Sequence, residues 1–263
     1  MMGAAVLRRV DASVVAIVTT CATAWALVAL VETGLLLLPL CSSGATRILA
    51  PSIGLAVAYV LSSPAQIAAS WLLMLAAMML PVMVPHIRHI HLRSFKERQT
   101  RSKLQLLLGY LAVWMAAGVA LEIGAVAVRV ALPGACVEVV VGLALLWQVS
   151  PAKQWCLNRC HQKPALAAFG ARADLDAVRY GSRLGAACVG SCWALMTLPL
   201  VVERHHLAVM IVVAILIYAE RLESPAPLSW RWRGVGKALR IVSGQLRMRL
   251  GSRPMRKTVF FTS

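Results

Sequence analysis

The feature that most limits what this chain can fold into is a series of long apolar runs. One bilayer crossing by a helix needs about 20 mainly apolar residues. We interpret six runs as crossings, and they cover residues 14–38, 66–85, 104–128, 135–155, 184–202 and 205–222. The fourth reaches full length only if its helix continues through Ser150 and Pro151 toward Trp155. The apolar segment 51–61 is too short to cross, so we expect a re-entrant or interfacial helix there.

The composition agrees with a chain whose main solvent is lipid. Charged residues make up 14% of it, whereas a soluble domain carries about 25%. The mean hydropathy is +0.75. The sequence therefore predicts an all-α fold, a polytopic membrane helical bundle with about six transmembrane helices.

The basic residues are distributed unevenly around the predicted crossings. Of the 27 Lys and Arg residues, two precede the first crossing, six lie in 86–103, six in 151–183, and ten from residue 221 onward. Because Lys and Arg are retained on the cytoplasmic side, both termini are predicted to be cytoplasmic, in the cell inner membrane. Topology thus accounts for the net charge of +17, and we expect no nucleic-acid partner.

The end of the chain has a separate character. Apolar residues recur there at helical spacing among Lys and Arg, namely Val235, Leu239, Val242, Leu246 and Leu250. This pattern is typical of a basic amphipathic helix on the anionic lipids of the inner leaflet, and a disordered tail is the alternative. We therefore divide the chain into a transmembrane helical domain, 1–222, and a basic cytoplasmic tail, 223–263.

Two cysteine pairs share one spacing and are predicted to lie at one depth. Cys156 and Cys160 end the fourth crossing, and Cys188 and Cys192 lie near the start of the fifth. Residues four apart share a helix face, with Cβ atoms about 5–6 Å apart, so each pair can present two sulfurs. Thiolates are soft ligands that select Cu(I), Zn(II) or iron–sulfur clusters. Plain packing is the alternative, because cysteine is commonly a buried apolar residue.

The second predicted crossing adds further soft donors. Met78 and Met79 lie within it, and thioethers are soft ligands for Cu(I). Pro81 cannot donate a helix hydrogen bond, so it should free the carbonyl of Ala77 beside Met78. We expect one of these methionines to close a site formed by the cysteine pairs, although methionine is also an ordinary packing residue in apolar helices.

Two other features lie away from this predicted site. Glu122 is an acid within the third crossing and a candidate for a proton or ion path, unless Arg129, about two turns further along, merely neutralises it. Cys41 and Cys136 fall on the predicted outer side, where an oxidising compartment would permit a disulfide between them.

Three blocks of the sequence resemble a known family. They are "WLLMLAAMMLPVMVP" (71–85), "WQVSPAKQWCLNRC" (147–160) and "GSRLGAACVGSCWALM" (181–196), with a closing "AERL" at 219–222. Together they are similar to a bacterial domain-of-unknown-function family described as predicted metal-binding integral membrane proteins. The resemblance covers about residues 68–222 and implies metal binding in a membrane. The family commonly has Cys-x-Gly-Cys-Cys-Trp in the third block, where this chain has Ser191, so a site here would have fewer thiolates or another partner, such as Met78 or His161.

These observations predict an inner-membrane protein that binds a soft metal, Cu(I) in preference to Zn(II), through Cys and Met residues. Its role would be metal transport, sensing or delivery, with a metal donor or acceptor protein as partner. One alternative is a membrane thiol–disulfide oxidoreductase working with a quinone, although the cytoplasmic side keeps thiols reduced. Another is a non-catalytic scaffold subunit. Catalysis is the less favoured interpretation, since no Ser/His/Asp constellation is visible.

Overall fold

The structure is a computed structural model that describes residues 12–33, 64–202, 205–232, 234 and 236–251. Within these residues there is no strand, so the predicted all-α fold is confirmed. The α-helices among them are α1 Ala12–Glu32, α2 Pro64–Arg93, α3 Gln99–Ala131, α4 Cys136–Val149, α5 Pro151–Cys160, α6 Gly170–Val201, α7 His206–Leu222 and α8 Gly236–Gly251. A single 3-10 turn, Lys96–Arg98, joins α2 to α3.

Several helices have the length and composition of membrane spans. Four of them, α1, α2, α3 and α6, are long and apolar enough to cross a bilayer, and α4 with α5 makes a fifth if this bent pair counts as one span. Large apolar side chains cover the outer face of α3, where Leu108 and Val130 are 67% and 74% exposed. A surface helix of a soluble protein would carry polar residues on that face. The described helices thus support a membrane-spanning bundle of four or five spans.

The prediction of one continuous helix through Ser150 was wrong. The chain bends by 66° between α4 and α5. Ser150 is extended (φ −72°, ψ 144°), and its hydroxyl accepts a hydrogen bond from the Lys153 N–H at 3.1 Å. Pro151, the first residue of α5, has no N–H and disfavours helical geometry in the residue before it. The run therefore forms two helices, and the second begins with a serine cap.

Close contact between α3 and α6 forms the centre of the bundle. A Cβ atom at Gly181 would collide with the carbonyl oxygen of Leu106, and one at Gly109 with that of Val178. Gly181 and Gly185 form the small-xxx-small pattern that lets membrane helices approach closely. Leu106 lies opposite Gly181 and Tyr110 opposite Gly185, so the two helices run in the same direction.

The first and last parts of the chain are described only in part. The helix predicted in the tail is present as α8. The predicted short helix at 51–61 and Cys41 lie outside the described residues, and the disulfide between Cys41 and Cys136 therefore stays a prediction.

Candidate metal site

Three thiols meet where α3, α5, α6 and α7 converge. Cys188 and Cys192 lie one turn apart on α6, and Cys160 is the last residue of α5. The side chains are only 1%, 1% and 2% exposed, respectively. The Cys192 thiol donates to the Cys188 carbonyl oxygen at 2.9 Å, which satisfies its one donor within the helix. The structure thus brings together three of the four cysteines that the sequence singled out.

Arg221, near the end of α7, is the cation of this cluster. Its Nη2 atom donates to Cys188 Sγ at 3.0 Å and to Ser191 Oγ at 3.2 Å. Cys160 and Cys192 are also within electrostatic range of the guanidinium. No carboxylate bonds to Arg221 in the described part of the chain, and its buried Nη1 atom has no hydrogen-bond partner there. A cation whose charged group is buried without a counter-ion is costly, so the site favours negative charge on Cys188, the sulfur to which Arg221 donates.

Helix α3 closes the cluster with two aromatic residues. The Tyr110 hydroxyl lies 3.3 Å from Cys188 Sγ, where either atom can donate. The Trp114 indole is fully buried and within hydrogen-bonding range of the Cys188 sulfur. One buried donor of the cluster, Arg221 Nη1, is left over. Donors without partners are what a site needs to accept additional anionic ligand charge.

A separate buried ion pair supports this cluster from behind. Lys153 Nζ lies 2.5 Å from Glu220 Oε1, and the Gln148 amide donates to the same oxygen. The side chains of Lys153 and Glu220 are 5% and 3% exposed. Since Glu220 is already paired with Lys153, it does not hydrogen-bond to the neighbouring Arg221. The pair ties α5 to α7 and positions both Cys160 and Arg221.

Cys156 lies apart from the other three thiols. Its Sγ packs against Gly190 of α6, where a Cβ atom added to the glycine would lie 2.5 Å from the sulfur. At about 100° per residue, Gly190 points away from the face that carries Cys188 and Cys192. Cys156 is half-buried, whereas the other three are buried. The predicted four-cysteine arrangement therefore becomes three thiols around Arg221, with Cys156 on another side of α6.

The predicted methionines lie in the core of α2, which runs antiparallel to α3 and α6. His86 Nδ1 is 2.7 Å from the Tyr180 hydroxyl. This contact places His86 and Tyr180 at the same depth. Cys188 is eight positions after Tyr180 and Met78 is eight positions before His86, so on these antiparallel helices Met78 lies at about the depth of Cys188. Met78 is 3% exposed and Met79 is fully buried.

Pro81 has the predicted local effect on its helix. The carbonyl oxygen of Ala77, four residues earlier, accepts a hydrogen bond from the Cys21 thiol at 3.2 Å. A proline removes the N–H that would otherwise bond to this oxygen. The break therefore joins α2 to α1 and contributes no ligand of its own.

His161 and Glu122 occupy different places. His161 caps α5 directly after Cys160, and its Nε2 atom is buried without a hydrogen-bond partner in the described part of the chain. Burial lowers the pKa of His161, and the nearby cations Arg221 and Lys237 lower it further, so the imidazole is kept neutral. Glu122 lies on α3 about 12 Å beyond Trp114, since a helix rises about 1.5 Å per residue. It therefore lies further along α3 than the two aromatic residues that contact the thiol cluster.

In the described residues, no group of three or more His, Cys, Asp and Glu side chains is already arranged to hold a metal ion. The donor set nevertheless fits a soft monovalent cation. Cysteine sulfurs are soft ligands, and the three thiols face one guanidinium that compensates negative charge on sulfur. The sequence matches the PpoB2 family, described as a copper chaperone, over residues 68–243.

The chain belongs to this copper chaperone family.

The membership confirms the resemblance that the sequence blocks indicated, and the match extends past residue 222 into α8. No curated protein and no solved structure matches the chain.

Sequence reasoning missed the residues that surround the thiols. Arg221, Glu220 and Lys153 were visible as charges inside or beside apolar runs, which is a signal of function in membrane proteins. Glu220 and Arg221 stand in the "AERL" block that contributed to the resemblance. Tyr110 and Trp114 had no signal, because aromatic residues are ordinary in apolar helices.

Proposed function

We propose that this protein is an integral membrane copper chaperone that holds Cu(I) between the sulfurs of Cys160, Cys188 and Cys192, of which two are thiolates and one remains a thiol. The observation that carries the proposal is the position of Arg221, whose guanidinium faces thiols, has a buried Nη1 atom and has no carboxylate partner in the described residues. Two thiolates and one Cu(I) ion have a net charge of −1. The guanidinium charge makes that assembly neutral, which an apolar site requires.

Copper is favoured over zinc by the number of thiols at the site. Zinc sites prefer four N or S ligands in a tetrahedron, and Cys156 is not with the other three thiols. Met78, at the depth of Cys188, and His161, next to Cys160, are the proposed additional ligands, and both donor types suit copper.

We further propose six membrane crossings with both termini in the cytoplasm, α7 being the last crossing and α8 lying on the anionic inner leaflet. In this arrangement residues 1–222 form the membrane domain and 223–263 the tail. The distribution of Lys and Arg supports this orientation. The thiols then lie in the inner-leaflet half, where copper would be taken up from a donor or passed to an acceptor protein. A reporter that is active only in the cytoplasm should be active when it is fused after Lys103 or after Arg183.

The metal proposal is tested by copper binding to the purified full-length protein. Titration against a chromophoric Cu(I) chelator should give one tightly bound Cu(I) per chain in the wild type. Cys188→Ala should lower the affinity by at least 100-fold, because it removes the sulfur that contacts both Arg221 and Tyr110.

The matched control is Cys136→Ala, since Cys136 is buried in a separate apolar cluster with Val140 and Val201. Its affinity for Cu(I) should equal that of the wild type. Equal affinities of the Cys136 and Cys188 variants would show that the thiols of the cluster are only packing residues.

A further inference from the structure

A cleft lies beside the thiol cluster and is separate from it. It has a volume of about 590 Å³ and is formed by α5, the middle of α6 and the loop between the two helices. Three cations line it, Arg159, Lys163 and Arg183, and all three are exposed. None of its described lining residues is acidic. Ligand sites for small molecules have volumes of about 300–1,000 Å³, so the cleft is suited to a small anion.

The wall of this cleft carries one thiol. Cys156 lines it and is half-buried, whereas Cys160, one turn further along α5, is buried in the thiol cluster. The cleft and the cluster are thus connected by a Cys-x-x-x-Cys helix turn that crosses α6. Gly190 permits this crossing, because a side chain there would occupy the position of the Cys156 sulfur.

One of the cations is held in a defined position. The Arg159 guanidinium lies 3.7 Å from the centre of the Trp155 ring, and both residues line the cleft. A stacked guanidinium keeps its N–H groups free at its edge for a carboxylate. The cleft therefore combines oriented N–H donors for a carboxylate with a soft ligand for a metal. Neither a plain anion site nor a plain metal site needs both.

We propose that this cleft receives Cu(I) as an anionic complex with a small thiol that carries carboxylates, and that Cys156 is the first protein ligand of the copper. This inference rests on the proposed copper function. A Cu(I) ion bound by two thiolates has a net charge of −1, and the carboxylates of the thiol add to it. Arg159, Lys163 and Arg183 complement that charge.

The transfer is a ligand exchange without a redox step. The Cys156 sulfur forms a bond to Cu(I) as one bond between copper and the carrier sulfur breaks. The proton of the Cys156 thiol passes to the departing carrier thiolate, and copper stays in the +1 state. Cys160 then displaces the second carrier thiolate, and Cys188 displaces Cys156; in each exchange the proton of the incoming thiol passes to the departing thiolate, and Arg221 balances the charge that moves inward.

The anion site can be tested without copper. S-methylglutathione carries the carboxylates but cannot bind copper through a thiolate, and its binding to the full-length protein is measured by calorimetry. The double variant Arg159→Gln/Arg183→Gln should bind it at least tenfold more weakly, since a hydrogen bond to a charged group corresponds to about tenfold or more in affinity. Arg172→Gln, an exposed arginine outside the cleft lining, should bind like the wild type. No binding by the wild type, or equal binding by all three proteins, would overturn the proposal.

The role of Cys156 is tested by the rate of copper loading. Cys156→Ser should accept Cu(I) from its glutathione complex at least tenfold more slowly than the wild type, while the final copper content and affinity stay unchanged. Cys136→Ser is the control and should load at the wild-type rate. A variant at Cys156 that loads as fast as the wild type would refute the assignment. If instead the wild type binds no Cu(I) even when the copper is supplied as its acetonitrile complex, the proposed copper function itself is wrong, and the role of Cys156 is wrong with it.

Discussion

Replacing Lys153 with Met should destabilise the fold by about 3–4 kcal/mol at pH 7, and by only about 1 kcal/mol at pH 5. The variant leaves the Glu220 carboxylate buried, with the Gln148 amide as its remaining hydrogen-bond partner. The least costly response of the folded protein is to protonate that carboxylate. Protonation costs about 1.36 kcal/mol for each pH unit above the ordinary carboxyl pKa of about 4.3, which amounts to about 3.7 kcal/mol at pH 7. The loss of stability should therefore shrink as the pH falls.

The opposite substitution should have the opposite pH dependence. Glu220→Gln leaves a buried ammonium group, whose deprotonation from an ordinary pKa of about 10.4 costs about 4.6 kcal/mol at pH 7 and about 2 kcal/mol at pH 9. Its loss of stability should shrink as the pH rises. The double variant Lys153→Met/Glu220→Gln removes both charges and should lie within about 2 kcal/mol of the wild type, because an intact buried pair contributes little net stability.

The free energy of unfolding would be measured by sodium dodecyl sulfate titration of the protein in mixed micelles, followed by circular dichroism between pH 5 and pH 9. Lys163→Met is the control, because Lys163 is exposed and has no ion pair in the described part of the chain. Equal losses at both pH values for Lys153→Met, or a double variant as unstable as the two single ones, would refute the interpretation as an uncompensated buried charge.

Three further outcomes follow from the same structure. Arg221→Gln should lower the Cu(I) affinity by at least 100-fold, because a charge about 4 Å away contributes several kcal/mol in a partly buried site; equal affinity in a chelator titration would contradict the charge-balance argument. Gly181→Ala should cost about 1–3 kcal/mol by separating α3 from α6, whereas Gly124→Ala, which has open space around it, should cost nothing in the same unfolding assay. His161→Gln should reduce the acid sensitivity of the fold, since the lowered pKa of His161 means that folding opposes its protonation as the pH falls below about 6.5. An unchanged stability profile between pH 7 and pH 5 would show that another group is responsible.

Helix positions could be predicted from the sequence because each depends on a local run of residues. Apolar runs of about 20 residues located α1, α2, α3 and α6, and Pro81 indicated the freed carbonyl of Ala77 that now accepts from Cys21. The prediction failed at Ser150, where the requirement for a full-length span was given more weight than the boundary signal of Ser150 and Pro151. A local signal was present there, and it was the correct one.

The shared face of Cys188 and Cys192 was also determined by the sequence, since it needs only helical periodicity. Whether Cys156 and Cys160 both face that pair depends on the angle at which α5 crosses α6, which the bend at Ser150 and the close approach at Gly190 set. The result separates two residues of identical spacing, Cys160 beside Arg221 and Cys156 beside an open cleft.

The sequence by itself determined the class of the protein and its periodic features, because hydropathy and helical spacing act within one segment. Only the tertiary structure decided which charges and thiols meet. Arg221 lies 33 residues from Cys188 and 111 from Tyr110 along the chain, and no local pattern relates them. Their arrangement around Cys188 arises from helix packing, in which glycines on α3 and α6 set the spacing. The Lys153–Glu220 pair leaves Arg221 as a cation that, among the described residues, hydrogen-bonds to a sulfur and a hydroxyl group.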